Sequence, residues 1–326
     1  MKNPSSLQDC VESINAGGLA VLPTETVYGL AALALREDAI EKVFSLKGRP
    51  STNPLIVHVL DGSMAHVVAD VTPSAEKIFS SLWPGPISVI LPKKCTVPQN
   101  LCAGLDTVAV RAPMHEKFRE VLREVRAPLA APSANKSNKV SPTQACHALQ
   151  NFGAQCPPVL DGGSCIHGLE STVLDLTDEQ PIILRPGPIS RDQIERCLNA
   201  HVIVKDASVN PIGFEQKCPG QTQKHYSPQL PLILKESFVD LQSVPLNYDS
   251  DIVLCLQTEE EDYFKKHNCA TIRLSKDGKS NEIAQNLYHC LQKADTLDKL
   301  RILTHKLEKP DALGVAINDR LTRAAF

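Results

Sequence analysis

From Leu7 to about Leu198 apolar positions alternate between two rhythms: stretches at helical spacing and short β-rich runs. That alternation predicts an α/β domain with a substantially covered sheet. The first helix can begin at Ser5 or Ser6, whose hydroxyls cap free N–H groups, and can end at Gly17-Gly18, where glycine permits a left-handed exit. LAVL (19–22) reads as a strand. A second helix over Glu37–Lys47 stops at Gly48 and leads into the strand PLIVHVL (54–60). Further strands are predicted at 87–91, 107–111, 128–132, 171–176 and 181–185, and further helices at 73–82, 114–125, 142–151 and 190–199. In the 142–151 helix, Ser141 before Pro142 reads as an N-cap with proline at the first helical position.

Between Asp206 and Gln229 the periodicity is lost and Pro, Gly and polar residues accumulate, which marks a linker. Alternation then resumes. LILK, DIVLCL, ATIRLS and LRILTH are predicted strands, separated by helices at 259–267, 280–294 and 310–325, as in a small parallel-sheet domain. The expected organisation is therefore a domain over 1–205, a linker over 206–229 and a smaller domain over 230–326.

The 326 residues are enough for two cores, and a net charge of −3 excludes a generally basic nucleic-acid binder while permitting a local positive pocket. The eleven cysteines are scattered without a CxxC pair, which points to reduced thiols rather than a disulfide framework or a zinc site. No metal ligands are assigned. MKNPSSLQDCVES has no apolar stretch behind its lysine, and no run approaches the roughly 18 apolar residues a bilayer span needs. A cytoplasmic protein with no membrane partner is expected.

Familiar phosphate loops are missing. DGKS (277–280) has Arg273 where a P-loop needs its first glycine, and no GxGxxG follows a strand. Instead, polar and turn-prone residues cluster at strand ends, where ligands of open α/β sheets bind. PTETVYG (23–29) can point Thr24 and Thr26 the same way, or be a loop held by side chain to backbone hydrogen bonds. SLKGRPSTNPLIVHV (45–59) places Lys47 and Arg49 around Gly48, suited to phosphate oxygens or merely to a helix C-terminus. His58 lies in an apolar strand and reads first as a core residue. APSANKSNKVSPT (131–143) offers Ser133, Asn135, Lys136, Ser137, Lys139, Ser141 and Thr143. Ser171 opens a strand, while Arg111 and Arg185 close others. Four basic groups and many hydroxyls at strand termini suggest one pocket for an anionic ligand.

PTETVYGL, KGRPSTNPLIVHV, LWPGPIS, VAVRAP, APSAN…SPT, ESTV and ILRPGPI stand in the order and approximate spacing of the YrdC-domain threonylcarbamoyl-AMP synthases. CPGQTQKHYSPQLPL (218–232), the C-terminal α/β region and INDRLTRAA (317–325) resemble the longer, two-domain members. This resemblance implies a YrdC-like α/β domain with a twisted mixed sheet and a smaller Rossmann-like parallel-sheet domain. It implies an L-threonylcarbamoyladenylate synthase, a nucleotidyltransferase that joins L-threonine, bicarbonate and ATP, with Mg²⁺, for tRNA threonylcarbamoyladenosine modification. Thr24, Thr26, His58, Arg111, Ala131 and Ser171 would bind threonine. Lys47, Arg49, Asn53, Thr107, Ser133, Asn135, Ser141 and Arg185 would bind ATP, and the linker would fold across the pocket so that His225 or Tyr226 reaches the nucleotide.

On this reading Lys47 and Arg49 are catalytic through charge neutralisation, and no residue forms a covalent bond. The product would pass to tRNA-modifying transferase machinery, with weak RNA contact as a secondary expectation. The rival is a double-stranded RNA-binding protein without ATP chemistry, built on the basic pocket, the KSNK loop and the 117–126 helix. Glu116, Glu120 and Glu124 interleave that helix and count against it. Carbamoyl transfer in metal-centre maturation would need companion zinc-binding regions, which the missing CxxC pairs disfavour.

Overall fold

A computed structural model describes residues 3–205 and 225–326. In the N-terminal unit the chain forms α1 (Leu7–Asn15), β1 (Ala20–Leu22), β2 (Gly29–Leu33), α2 (Glu37–Lys47), β3 (Ile56–His58), α3 (Gly62–Ala65), α4 (Pro73–Leu82) and β4 (Ile87–Pro92). It continues through β5 (Thr107–Arg111), α5 (Glu116–Val125), β6 (Leu129–Ala130), α6 (Ala145–Phe152), β7 (Thr172–Asp175), β8 (Ile182–Arg185), α7 (Arg191–Leu198) and β9 (Ile203–Val204). The C-terminal unit comprises β10 (Leu232–Lys235), α8 (Phe238–Gln242), β11 (Asp251–Cys255), α9 (Thr258–Lys266), β12 (Ala270–Arg273), α10 (Ser280–Ala294), β13 (Arg301–His305) and α11 (Ala312–Ala324).

Local chemistry explains several boundaries. Ser6 and Ser190 each begin a helix in a capping box, with Asp9 and Gln193 answering from the third helical position. Thr72 caps α4 with Pro73 at its first position, and Gly48 ends α2 in the left-handed conformation. Proline shortens the strands predicted at 54–60 and 128–132: Pro54, Pro128 and Pro132 have no N–H for the ladder, and the regular strands shrink to Ile56–His58 and Leu129–Ala130. The helix predicted at 142–151 starts at Ala145, with Gln144 at the cap position. Ser141 is not its N-cap; the side chain is buried and donates to Glu170. β2 was not foreseen, because GLAAL is poor in β-branched residues; it forms between β1 and β6.

The first sheet runs β1-β2-β6-β3-β5-β4-β7-β8-β9 and mixes parallel with antiparallel pairs. Side chains alternate across it. Val57, Val89, Val108, Val110 and Leu174 face a core shared with α2, α4, α6 and α7. On the other face α1 and α5 pack over Ala20, Leu22, Ala31 and Leu129. Farther along this second face Ile56, Ile90, Ala109 and Val173 form a small apolar floor. The register sets His58 beside Arg111 and Arg185 beside Val173, so these polar strand ends meet at the edge of that floor.

The second sheet is fully parallel, β10-β13-β11-β12. α8 and α9 cover one face. α10 and α11 cover the other, in an apolar cluster that also takes in Val27, Val140, Leu169 and Tyr226. The two units therefore share a core. Among the described residues no helix is long and apolar enough to cross a membrane.

Candidate active site

One pocket on the second face of the larger sheet is lined by Thr24, Thr26, His58, Arg111, Ala131 and Ser171, and equally by Arg49, Ser133, Arg185, His225 and Tyr226. Eleven residues singled out in the sequence thus meet in one place. Lys47, Asn53, Asn135 and Ser141 lie buried behind this lining. Thr107 opens β5, on the face of Ala109 and Arg111, but does not line the pocket.

Thr24 and Thr26 do face the same way: their hydroxyl oxygens are 2.8 Å apart. Thr24 donates its only proton to Val27 O and accepts from the Thr26 and Val27 amides, so Thr26 is the donor between the two. The loop is also held by its own side chain to backbone bonds, as the plainer reading of PTETVYG expects. Arg111 Nη1 then donates to Thr26 Oγ1 at 2.9 Å and Nη2 to Glu25 Oε1 at 2.7 Å. Burial alone would raise the Glu25 pKa, but the adjacent Arg111 charge brings it below the ordinary value. A Trp-Pro-Gly turn supplies Gly85 O, which accepts from Arg111 Nε at 3.3 Å.

His58 is buried against Phe118, with ring centroids 5.1 Å apart. Burial, reinforced by Arg111, lowers its pKa to about 3, so the imidazole is neutral. Its Nδ1 has no hydrogen-bond partner among the described residues. Ser171 Oγ lies 2.8 Å from Ser88 Oγ and accepts from Arg185 Nη2 at 3.1 Å, while Arg185 also donates to Ser171 O. Gly187 follows in the Pro-Gly-Pro turn; a Cβ there would run into the Ser171–Thr172 backbone, so the close approach requires glycine.

Arg49 is held by Asn53, whose backbone and side-chain oxygens both accept from it, and by Pro54 O. Lys47 does not reach the pocket. Its ammonium donates to Ser133 O and Asn135 O, fastening the 133–135 loop to the end of α2. Burial, with Arg49 and Lys136 nearby, lowers its pKa well below that of an ordinary lysine. Lys136 in turn donates to Leu46 O at 2.7 Å. Asn135 Nδ2 braces the same loop through Lys136 O and Lys139 O, both at 2.8 Å.

Among the described residues three guanidiniums and one carboxylate line the pocket, so its field favours an anion. The carboxylate is Glu170, which the sequence reading passed over although it stands next to Ser171. It accepts from Ser141 Oγ at 2.7 Å, Tyr288 OH at 2.9 Å and Arg320 Nε at 3.0 Å. Burial would raise its pKa, yet Arg320 and Arg185 hold it at about 2. Ser88 was missed as well; a serine inside a strand that reads ISVIL carries no local signal. His225 is neutral too, lowered to about 3 chiefly by burial. Residues 206–224, most of the linker expected to fold across the pocket, lie outside the described residues. The α5 arginines that motivated an RNA-binding face are engaged locally: Arg119 donates to Leu60 O, and Arg123 pairs with Glu116.

Residues 12–187 match the Sua5_yciO_yrdC family model, described as telomere recombination. Residues 189–326 match a model described as threonylcarbamoyl-AMP synthase, C-terminal domain. The threonylcarbamoyl-AMP synthase of Pyrococcus abyssi is 35% identical, the alignment covering 96% of this chain and 92% of that protein. Its Bacillus subtilis counterpart is 34% identical, with 99% and 94% covered. The crystal structure of P. abyssi Sua5 complexed with L-threonine superposes with a TM-score of 0.87 at 32% identity, over 98% of this chain and 94% of that one.

Proposed function

The chain belongs to the threonylcarbamoyl-AMP synthase family, and from that premise we propose that its pocket joins L-threonine, bicarbonate and ATP into threonylcarbamoyl-AMP. The observation that carries this reading is that all six residues expected around threonine line one pocket together with Arg49, Ser133, Arg185, His225 and Tyr226 of those expected around ATP. Such a site brings an amino acid within reach of a nucleotide.

The chemistry is one of positioning and charge neutralisation. Arg111, its fork fixed by Glu25 and Thr26, takes the threonine carboxylate. The Thr24–Thr26 loop, Ser171 and neutral His58 orient the rest of the amino acid, and Ala131 contributes backbone. The threonine amine forms a carbamate with bicarbonate, releasing water. A carbamate oxygen attacks the α-phosphorus of ATP, and the bond to the β,γ-diphosphate breaks to release pyrophosphate. Arg49 and Arg185 neutralise charge on the phosphates, with Ser133, His225 and Tyr226 around the nucleotide. Lys47, Asn53, Asn135 and Ser141 act from behind by fixing the groups that touch it, and Thr107 extends the same face.

Mg²⁺ fits as a companion of ATP rather than as a resident of a protein cage. Glu170, the lining carboxylate, is already occupied by three donors, and Mg²⁺ is commonly held through substrate phosphates and water. When bound it would neutralise phosphate charge. The product would be handed to a tRNA-modifying transferase, with weak RNA contact secondary.

Purified protein incubated with threonine, bicarbonate and Mg-ATP is expected to release pyrophosphate only when all three are present, and mass spectrometry should find the adenylate. Release of pyrophosphate without threonine would overturn the proposal.

A further inference from the structure

The motif INDRLTRAA near the C-terminus has no part in the chemistry above, yet it delivers the largest fully buried side chain among the described residues. Arg320, on α11, has no exposed surface and reaches the back of the pocket from the other structural unit. Its Nε donates to Glu170 Oε2 at 3.0 Å, its Nη2 to Pro186 O at 3.1 Å and its Nη1 to Asp319 Oδ2 at 2.6 Å. The guanidinium also lies over the Tyr226 ring, 5.2 Å from its centroid.

Apart from Asp319, its neighbour on α11, these contacts end on the pocket wall or beside it. Glu170 precedes Ser171 and anchors Ser141; Pro186 follows Arg185; Tyr226 lines the pocket directly. Tyr288 of α10 supplies a second bond to Glu170 from the same unit, and Asp319 is held from behind by Arg323 Nε at 2.9 Å. A planar guanidinium can serve three separate acceptors in fixed directions, which a compact ammonium cannot.

Resting on the functional reading above, we infer that Arg320 is a positioning residue for the nucleotide half of the pocket, acting through Glu170, the Pro186 turn and Tyr226. The C-terminal unit thereby completes a site whose substrate-contacting groups come mainly from the larger sheet. Three of the elements it steadies, Ser141, Arg185 and Tyr226, belong to the ATP set, and one, Ser171, to the threonine set. Loss of Arg320 geometry should therefore weaken ATP binding more than threonine binding.

The test compares wild type with Arg320→Lys and Tyr288→Phe in the full chain. It measures Mg-ATP binding by calorimetry, KM for ATP and for threonine, kcat and the melting temperature. Arg320→Lys is expected to fold, to bind Mg-ATP about tenfold more weakly and to keep its threonine KM within about threefold, because a fixed fork is replaced by a point charge. Tyr288→Phe, which removes one donor and no charge, is expected to weaken Mg-ATP binding by about threefold. A folded Arg320→Lys protein with wild-type ATP affinity and kcat overturns the inference even if its melting temperature falls, since that is the signature of a purely structural contact. Should Arg320→Lys fail to fold, unchanged ATP affinity in Tyr288→Phe overturns it instead. Wild-type protein that neither binds Mg-ATP nor releases pyrophosphate would sink the functional proposal itself, a result separate from these.

Discussion

Glu25 and Glu170 stand beside Thr26 and Ser171 in the chain, and each faces a buried guanidinium, Arg111 or Arg320. A buried charge left without its partner costs several kcal/mol, so these carboxylates govern how the arginines point. The buried imidazoles behave differently. His58, His147 and His225 have pKa values lowered to about 3, 4 and 3, in each case chiefly by burial. An unfolded histidine takes a proton near pH 6.5, whereas these do so only well below that. Between about pH 6.5 and 4 the unfolded chain therefore binds more protons, and stability falls as pH drops, by up to about 1.4 kcal/mol per pH unit for each group. Glu170, lowered to about 2, contributes stability above the ordinary carboxylate range that is lost as pH falls toward 2. Denaturant midpoints at pH 7.5, 6 and 5 should decline in that order, and His147→Gln should flatten the decline by about one proton's worth. A flat profile would contradict the buried neutral histidines.

Among elements, α2 and the 133–139 loop form a latch. Lys47 sits where a cation would favour a helix C-terminus anyway, and the sequence alone left open whether it serves the helix or a phosphate. The fold gives it a third task, holding two loop carbonyls. Lys47→Met should still fold but melt several degrees lower, since two buried carbonyls lose their donor at about 1–3 kcal/mol each, partly offset by removal of a costly buried charge. ATP KM should rise about tenfold, because Ser133 loses its fixed position. An unchanged ATP KM in the folded variant would remove Lys47 from the site. The elements that sequence pattern missed are short or weakly marked: Gly-Ala-rich β2, four-residue α3, five-residue α8 and the exposed pair of β9. Longer helices such as α4, capped by Thr72, and the fifteen-residue α10 appeared where expected, because their apolar spacing is regular.

In the whole molecule the two units meet along α10 and α11, through the cluster containing Leu169 and Tyr226 and through bonds such as Gln292 Nε2 to Ser141 O at 2.9 Å. At Gly168 the backbones of the two units come close. This glycine has φ +69°, and a Cβ there would run into the backbone of Ala284 and Gln285 on α10. Gly168→Ala should force the units apart and destabilise the protein by about 2–4 kcal/mol, through strain at a positive φ and lost packing. Wild type should unfold in one transition by calorimetry, while the variant should melt lower or in two steps. An unaltered single transition would show that the contact can relax.

By itself the sequence determined the alternating α/β plan, the Ser6 cap and the Gly48 stop, the second parallel domain and the order of polar clusters at strand ends, because these depend on periodicity and on neighbours a few residues apart. Arg111 and Arg185 were legible for the same reason, since each closes a strand, whereas His58 read first as a core residue and joined the site only through the family resemblance. Only the tertiary structure decided that Glu170 would join Ser141 to Tyr288 and Arg320, that Ser88 would meet Ser171, and that Lys47 would turn inward. Those pairings link residues far apart in the chain, chosen by strand order and by the docking of two units, and no local pattern of apolar and polar positions encodes them.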